Sequence, residues 1–306
     1  MKARYVSLVP FILWQQAEHP IDWPGRFGRH APLDVEIGFG NGEFLVQQAQ
    51  NAPERNFVGL EVEWGSIQRG LRKIAQAKVA NVRLLLADAR IALERLFVPH
   101  SLHRVVALFP CPWPKERHVK HRLFSRAFLH LINSRLQARG EVQIVTDHAA
   151  YADWVLQEAL DTGFDTQCAQ VAPRLSTKYA RKWHAQGQEQ FYELLLCQRT
   201  ASGMPLLRKD VILQHHRIAS FNATRFRPTG VRDEVAIEFK DFLYDAQQRR
   251  GMVWVFVTEE TLRQNFWIEI AHGDERWYIR PARGCVVVPT VGVQRALDLV
   301  RDAALQ

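Results

Sequence analysis

The chain has 306 residues, 47% of them apolar and 24% charged, with a formal net charge of +8. This length suits two domains or one large one, and this apolar share is enough to bury a core, which excludes a disordered or low-complexity chain. Four scattered cysteines (Cys111, Cys168, Cys197, Cys285) contain no CxxC pair, which argues against a disulfide framework or a thiolate zinc site and suits a reducing cytosol.

The apolar stretch near the N-terminus is broken by Pro10 and is too short for a signal-peptide core. No run is long enough to span a bilayer, so a cytoplasmic protein without membrane contact is expected. Five short apolar runs follow, LDVEIGF (33–39), NFVGLEV (56–62), VRLLLAD (82–88), RVVALFP (104–110) and EVQIVTD (141–147), all bounded by turn residues. They read as buried parallel strands. Helical patterns lie between them: 42–50, 65–77, 89–97, about 121–138 and 149–163. Strict alternation predicts a doubly wound α/β sheet, with FYELLLCQ (191–198) as a closing strand. A linker at 200–210 ends a first domain spanning 1–200. From 205 to 306, runs such as VAIEFKDFLYD, GMVWVFVT, FWIEIA, RWYIRP and CVVVP precede one helical pattern, VQRALDLVRDAAL. This part reads as a smaller, β-rich α+β domain of unknown role.

Charge is uneven. Residues from 200 onward hold 15 Lys or Arg against 13 Asp or Glu, so most of the excess lies in the first domain. The densest stretch follows the rigid turn LFPCPWP, where Lys115, Arg117, His118, Lys120, His121 and Arg122 face only Glu116. Such a run is either a solvated face or a patch for a polyanion, and its place beside a strand-ending turn favours the patch.

The first strand runs into EIGFGNGEF, which places Glu36, Gly38, Gly40 and Gly42 in a GxGxG turn. Glycines let a ligand approach the backbone, and the spacing differs from the GxGxxG of dinucleotide sites, favouring S-adenosylmethionine. Glu61 ends the second strand, where a carboxylate can accept from ribose hydroxyls, and Asp88 ends the third, beside Ala89, where an acid can accept from an adenine amino group. Taken singly, each acid is a helix cap or a solvated residue. No set of residues has metal-ligand spacing, so no metal is expected.

The succession EIGFGNGEF, FVGLEVE, ADAR, FPCPWPKERHVKHR, VTDHAAYADW, STKYARKW resembles the bacterial tRNA (guanine-N7)-methyltransferase family over residues 30 to 197. The resemblance implies a Rossmann-like S-adenosylmethionine methyltransferase sheet and transfer of a methyl group to N7 of a guanosine in tRNA, in the variable loop. It places cofactor contacts on Glu36, Gly38, Gly40, Glu61, Asp88 and Ala89. Substrate contacts would fall on Lys115, Asp147, Thr177, Lys178 and Ala180, with Arg117, His118, Lys120 and Arg122 meeting RNA phosphates. Asp147 would accept from the N1–H and amino group of guanine. Two positions depart from the family pattern: Cys111 stands where relatives carry aspartate, and Ala180 where they carry glutamate.

Cys111 has three readings: a small buried residue tolerated in the turn, the nucleophile of a cytosine-C5 RNA methyltransferase activated by Lys115 and Arg117, or a redox- or metal-linked thiol near His118 and His121. The lost carboxylates also leave open a catalytically impaired tRNA-binding relative. Trp113 is either a stacking platform or a wedge against the core. Both a monomer and a homodimer are compatible with the sequence.

Overall fold

The computed structural model describes residues 6–171, 190–203, 210–260 and 262–306. The chain divides into two compact units, Met1–Arg208 and Lys209–Gln306. Among the described residues no helix is long and apolar enough to cross a membrane.

The first unit is built on a seven-stranded sheet in the order β3-β2-β1-β4-β5-β7-β6. Its strands are β1 (Leu33–Ile37), β2 (Asn56–Glu61), β3 (Val82–Leu86), β4 (Leu102–Leu108), β5 (Leu136–Thr146), β6 (Phe164–Val171) and β7 (Phe191–Gln198). The first five run parallel, and β1 is buried along its whole length. That explains the continuous apolar runs of the sequence, since helices cover both faces of such a sheet. Among the described residues its helices are α1 (Trp23–Phe27), α2 (Glu43–Asn51), α3 (Trp64–Ala77), α4 (Ala89–Arg95), α5 (Arg126–Arg135) and α6 (Ala149–Glu158). α3 buries Ile67, Gly70, Leu71 and Ile74, a stripe at helical spacing. A Cβ on Gly70 would lie 2.9 Å from Phe39 Cε2, and one on Gly59 in β2 would lie 2.6 Å from Phe39 Cδ1. The two bare backbones make room for the Phe39 ring, which plugs the sheet below the glycine turn.

The chain moves outward from β1 to β2 and β3, then returns to β4 on the other side of β1. This reversal opens a crevice at the carboxyl ends of β1 and β4, the place where open α/β sheets bind ligands.

The structure departs from the sequence reading in four places. The closing strand is found at Phe191–Gln198 as β7, antiparallel to β5, but β6, which pairs antiparallel with β7, had no apolar signal because six of its eight residues are exposed. The predicted helix at 121–138 is shorter: a 3-10 segment covers Glu116–His121, α5 ends at Arg135, and β5 begins at once at Leu136. In the second unit, CVVVP (285–289) is not a strand. At Val288 a side chain takes the place of a strand partner, since Val288 N donates to Gln264 Oε1 (2.7 Å) and Gln264 Nε2 donates to Val288 O (3.1 Å). RIASFNATRF contributes only the short strand β8 (His216–Ile218).

The second unit is a six-stranded antiparallel sheet in the order β8-β13-β12-β11-β10-β9, with β9 (Val231–Arg232), β10 (Val235–Asp245), β11 (Arg250–Glu259), β12 (Leu262–Gly273) and β13 (Arg276–Pro281). One face, including Val253, Val255, Phe266 and Ile268, packs with Val293, Leu297 and Val300 of α7 (Val291–Ala304) in a single core. Thr290 caps that helix by accepting from Val293 N at 3.3 Å.

Candidate active site

A cavity of about 310 Å³ occupies the crevice between β1 and β4, lined by residues that follow β1 (Gly38, Phe39, Gly40, Asn41), by Glu61 at the end of β2 and Glu63 just beyond it, by Ser66 and Arg69 of α3, and by Leu108 and Phe109 at the end of β4. Gly38 (φ 71°) and Gly40 (φ 59°) both adopt the left-handed region, which side-chain-bearing residues seldom enter. Glu61 stiffens this turn: its Oε2 accepts from Gly40 N at 3.0 Å and its Oε1 from Val62 N at 2.8 Å.

Glu36 lies at the cavity floor, 5% exposed, and its Oε2 is buried without a hydrogen-bond partner among the described residues. Burial first, and the charge of Glu61 second, push its pKa from the ordinary 4.5 to about 8. An orphaned carboxyl oxygen in an acidic, glycine-walled pocket calls for a cationic or N–H-bearing ligand. The amino group and sulfonium of S-adenosylmethionine meet that demand, and Glu61 lies one strand away for ribose hydroxyls. The residues present therefore fit this cofactor.

Asp88 sits at the end of β3, beyond β2, and is not among the residues lining the cavity. Its Oδ1 accepts from Arg90 N (2.8 Å) and Ile91 N (3.5 Å), capping α4, with Ala89 buried behind it. The capping role and the strand-end position coexist in one residue.

On the other side of the crevice, β4 ends in the Phe109–Lys115 turn. Phe109 N donates to Val145 O at 2.7 Å, tying the start of the turn to β5. Phe109 (φ 53°) and Trp113 (φ 41°) are both left-handed without being glycine. Cys111 is exposed, so the expectation of a buried thiol is corrected: the turn lifts it off the sheet edge. Trp113 is 37% exposed and meets the rings of His118 (5.6 Å) and His121 (5.4 Å), forming an outer aromatic cluster and not a wedge into the core. Lys115, Arg117 and Lys120 are exposed, and His118 is half-buried. Arg122 does not belong to that face. It is 9% exposed and donates to the carbonyls of Pro112 (2.8 Å) and Trp113 (3.3 Å). Asp147 follows β5 at the same sheet edge, half-buried, beside His148, whose Nδ1 accepts from Tyr151 N at the start of α6. Thr177, Lys178 and Ala180 lie outside the described residues. Among the described residues no group of three or more His, Cys, Asp or Glu side chains is arranged to hold a metal ion.

The family model described as "Putative methyltransferase" matches residues 30–193. A tRNA (guanine-N(7)-)-methyltransferase of Thermus thermophilus is 35% identical over 292 residues, 92% of each chain. One from Thermotoga maritima is 33% identical over 280 residues, 87% of each chain. A third, from Chlorobium phaeobacteroides, is 42% identical over 164 residues, which make up 54% of this chain and 80% of that protein. This chain belongs to the tRNA (guanine-N(7)-)-methyltransferase family.

For a tRNA (guanine-N(7)-)-methyltransferase, Glu36, Gly38, Gly40 and Glu61 come together around one cavity, while Asp88 and Asp147 stand at the same sheet edge outside it. Sequence reasoning passed over Phe39, Asn41 and Phe109, although they lie inside the motifs it singled out. It had no route to Ser66 and Arg69, which reach the cavity from the first turns of α3, where Arg69 Nη2 donates to Ser66 Oγ at 2.8 Å. The similarity to the Thermus and Thermotoga methyltransferases runs through both units, whereas the Chlorobium relative matches only part of the chain.

Proposed function

We propose that this chain transfers a methyl group from S-adenosylmethionine to N7 of a guanosine in tRNA, in the variable loop, and that it works in the cytoplasm. The observation that carries the reading is the orphaned Glu36 carboxyl in a glycine-walled cavity bordered by Phe109, where the turn that leads into the basic run Lys115–Arg122 begins, in a chain of this family. Bound S-adenosylmethionine supplies an activated methyl on a sulfonium. Guanine N7 offers an in-plane lone pair and carries no proton at neutral pH, so no side chain has to act as a base. The protein's part is alignment, for which positioning of two reactants contributes up to about 7–11 kcal/mol. Glu36 and Glu61 orient the cofactor, Asp147 reads the guanine N1–H and amino group, and Lys115, Arg117 and Lys120 receive phosphates. Cys111 takes the position of a family carboxylate and leaves the cationic product less well balanced. The second unit, from about residue 205 onward, is an accessory domain on this reading.

The test is nucleoside mass spectrometry of unmodified tRNA incubated with the protein and labelled cofactor. 7-Methylguanosine is the expected product; labelled tRNA lacking it, or unlabelled tRNA, would overturn the reading. Exposure of Cys111 at the same edge supports one rival, a cytosine-C5 methyltransferase with this thiol as nucleophile. RNA carrying 5-fluorocytosine traps such an enzyme covalently and leaves an N7 enzyme without an adduct.

A further inference from the structure

Arg122 is separated from its basic neighbours by burial and by the nature of its partners. Its Nε and Nη2 donate to the carbonyls of Pro112 and Trp113 at 2.8 and 3.3 Å. Its guanidinium lies 5.0 Å from the Trp154 ring centroid and 5.7 Å from that of Tyr151, both on α6. Its own carbonyl, and that of Leu123, accept from Arg90 Nη2 at 3.1 and 3.3 Å. Arg90 is the second residue of α4, whose cap is Asp88. A continuous path of contacts thus runs from the β3 end, through Arg90 and Arg122, to the back of the Phe109–Lys115 turn.

That turn needs such a hold. Phe109 and Trp113 both occupy a backbone region that non-glycine residues disfavour, and such conformations persist only where their surroundings impose them. The bond from Phe109 N to Val145 O secures one end, and the Arg122 fork secures the other.

The geometry points to Arg122 as a positioning residue that holds the Phe109–Trp113 stretch of the turn, whose Phe109 lines the cavity, and not as a ligand of RNA phosphate. The inference deepens the guanosine-N7 reading and rests on it. Only a planar fork can bond two carbonyls while lying against the stacked Tyr151 and Trp154 rings; a lysine ammonium keeps the charge and loses that geometry. Charge alone therefore does not replace Arg122, whereas at a phosphate contact it largely would.

The test compares Arg122→Lys, Arg122→Gln and Lys120→Gln in the full chain, with steady-state kinetics on tRNA and the salt dependence of tRNA binding. Both Arg122 variants are expected to lose about 100-fold in kcat, the scale of a misplaced reacting group. Their KM for tRNA and their salt slope stay at wild-type values. Lys120→Gln raises KM and lowers the salt slope by up to about 1, the signature of a lost phosphate contact. Wild-type kcat in Arg122→Lys, or Arg122 variants that shift KM and salt slope as Lys120→Gln does, overturns the inference. S-adenosylhomocysteine affinity and thermal melting establish that each variant is folded. Should the Arg122 variants not fold, Arg90→Lys, which removes only the preceding link, decides: a loss in kcat at unchanged KM supports the path, and unchanged kcat defeats it. The identity of the wild-type product tests the N7 reading separately, since the ratio of variant to wild-type turnover reports on positioning whichever base is methylated.

Discussion

At the scale of the residue, Glu36 has the sharpest electrostatic consequence. With a native pKa near 8 against an ordinary 4.5, it binds a proton in the folded protein that it would give up in the unfolded chain. The stability it lends is complete below the unfolded value and disappears as pH rises through about 8. Melting temperature of the ligand-free protein is therefore expected to fall over that window, and Glu36→Gln to flatten the decline. Equal slopes in the two proteins would contradict this assignment. Ionisation of Glu36 on binding a cationic ligand also predicts proton release, so the heat of S-adenosylmethionine binding near pH 7 should depend on the ionisation enthalpy of the buffer. Cys111 gives a third measurement at this scale. N7 methylation leaves a positive charge on the guanine, and a carboxylate at this exposed site should stabilise it. Cys111→Asp is expected to raise kcat about tenfold, equivalent to roughly 1.4 kcal/mol of barrier, and an unchanged or lower kcat would show that the turn has compensated elsewhere.

At the scale of the element, the site depends on how closely α2 and α3 approach the sheet. A Cβ on Gly59 would fall 2.6 Å from Leu45 Cδ2 as well as from Phe39 Cδ1, and 3.0 Å from Leu84 Cδ2. Gly59→Ala should overpack this core by about 1–3 kcal/mol, lowering the midpoint of denaturant unfolding, and should weaken cofactor binding because Phe39 lies between Gly38 and Gly40. A wild-type midpoint and affinity would mean that the side chains relax freely. The elements differ in how legible they were. The five parallel strands could be read from sequence because burial on both faces makes their composition continuous. β6 could not, because an exposed edge strand carries no apolar pattern. CVVVP misled in the opposite sense: its valines pack as strand residues would, but a glutamine amide supplies the bonds that a neighbouring strand normally makes.

At the scale of the whole molecule, the +8 charge and its concentration outside the second unit predict salt-sensitive binding to a polyanion. Exposed Lys115, Arg117 and Lys120 lie on one short segment after the turn. Each phosphate contact contributes about 0.7–0.9 to the slope of log affinity against log salt. Replacing all three by glutamine should reduce that slope for tRNA by about 2–3, with S-adenosylhomocysteine affinity unchanged. An unaltered slope would place the phosphate contacts elsewhere on the molecule.

The sequence by itself determined the parallel core, the glycine turn with Glu36 and Glu61 near it, the family, and the change of character after residue 200. These are properties of local composition and order along the chain: periodicity, turn chemistry and motif succession survive without knowledge of what packs where. Only the tertiary structure decided that Cys111 is exposed, that Ser66 and Arg69 reach the cavity, and that Arg122 faces inward while Lys115, Arg117 and Lys120 face out. A basic residue reads the same in a charge run whether it meets solvent or two backbone carbonyls. The difference lies in the Arg90, Trp154 and turn atoms that surround Arg122, which folding alone brings together from separate stretches of the chain.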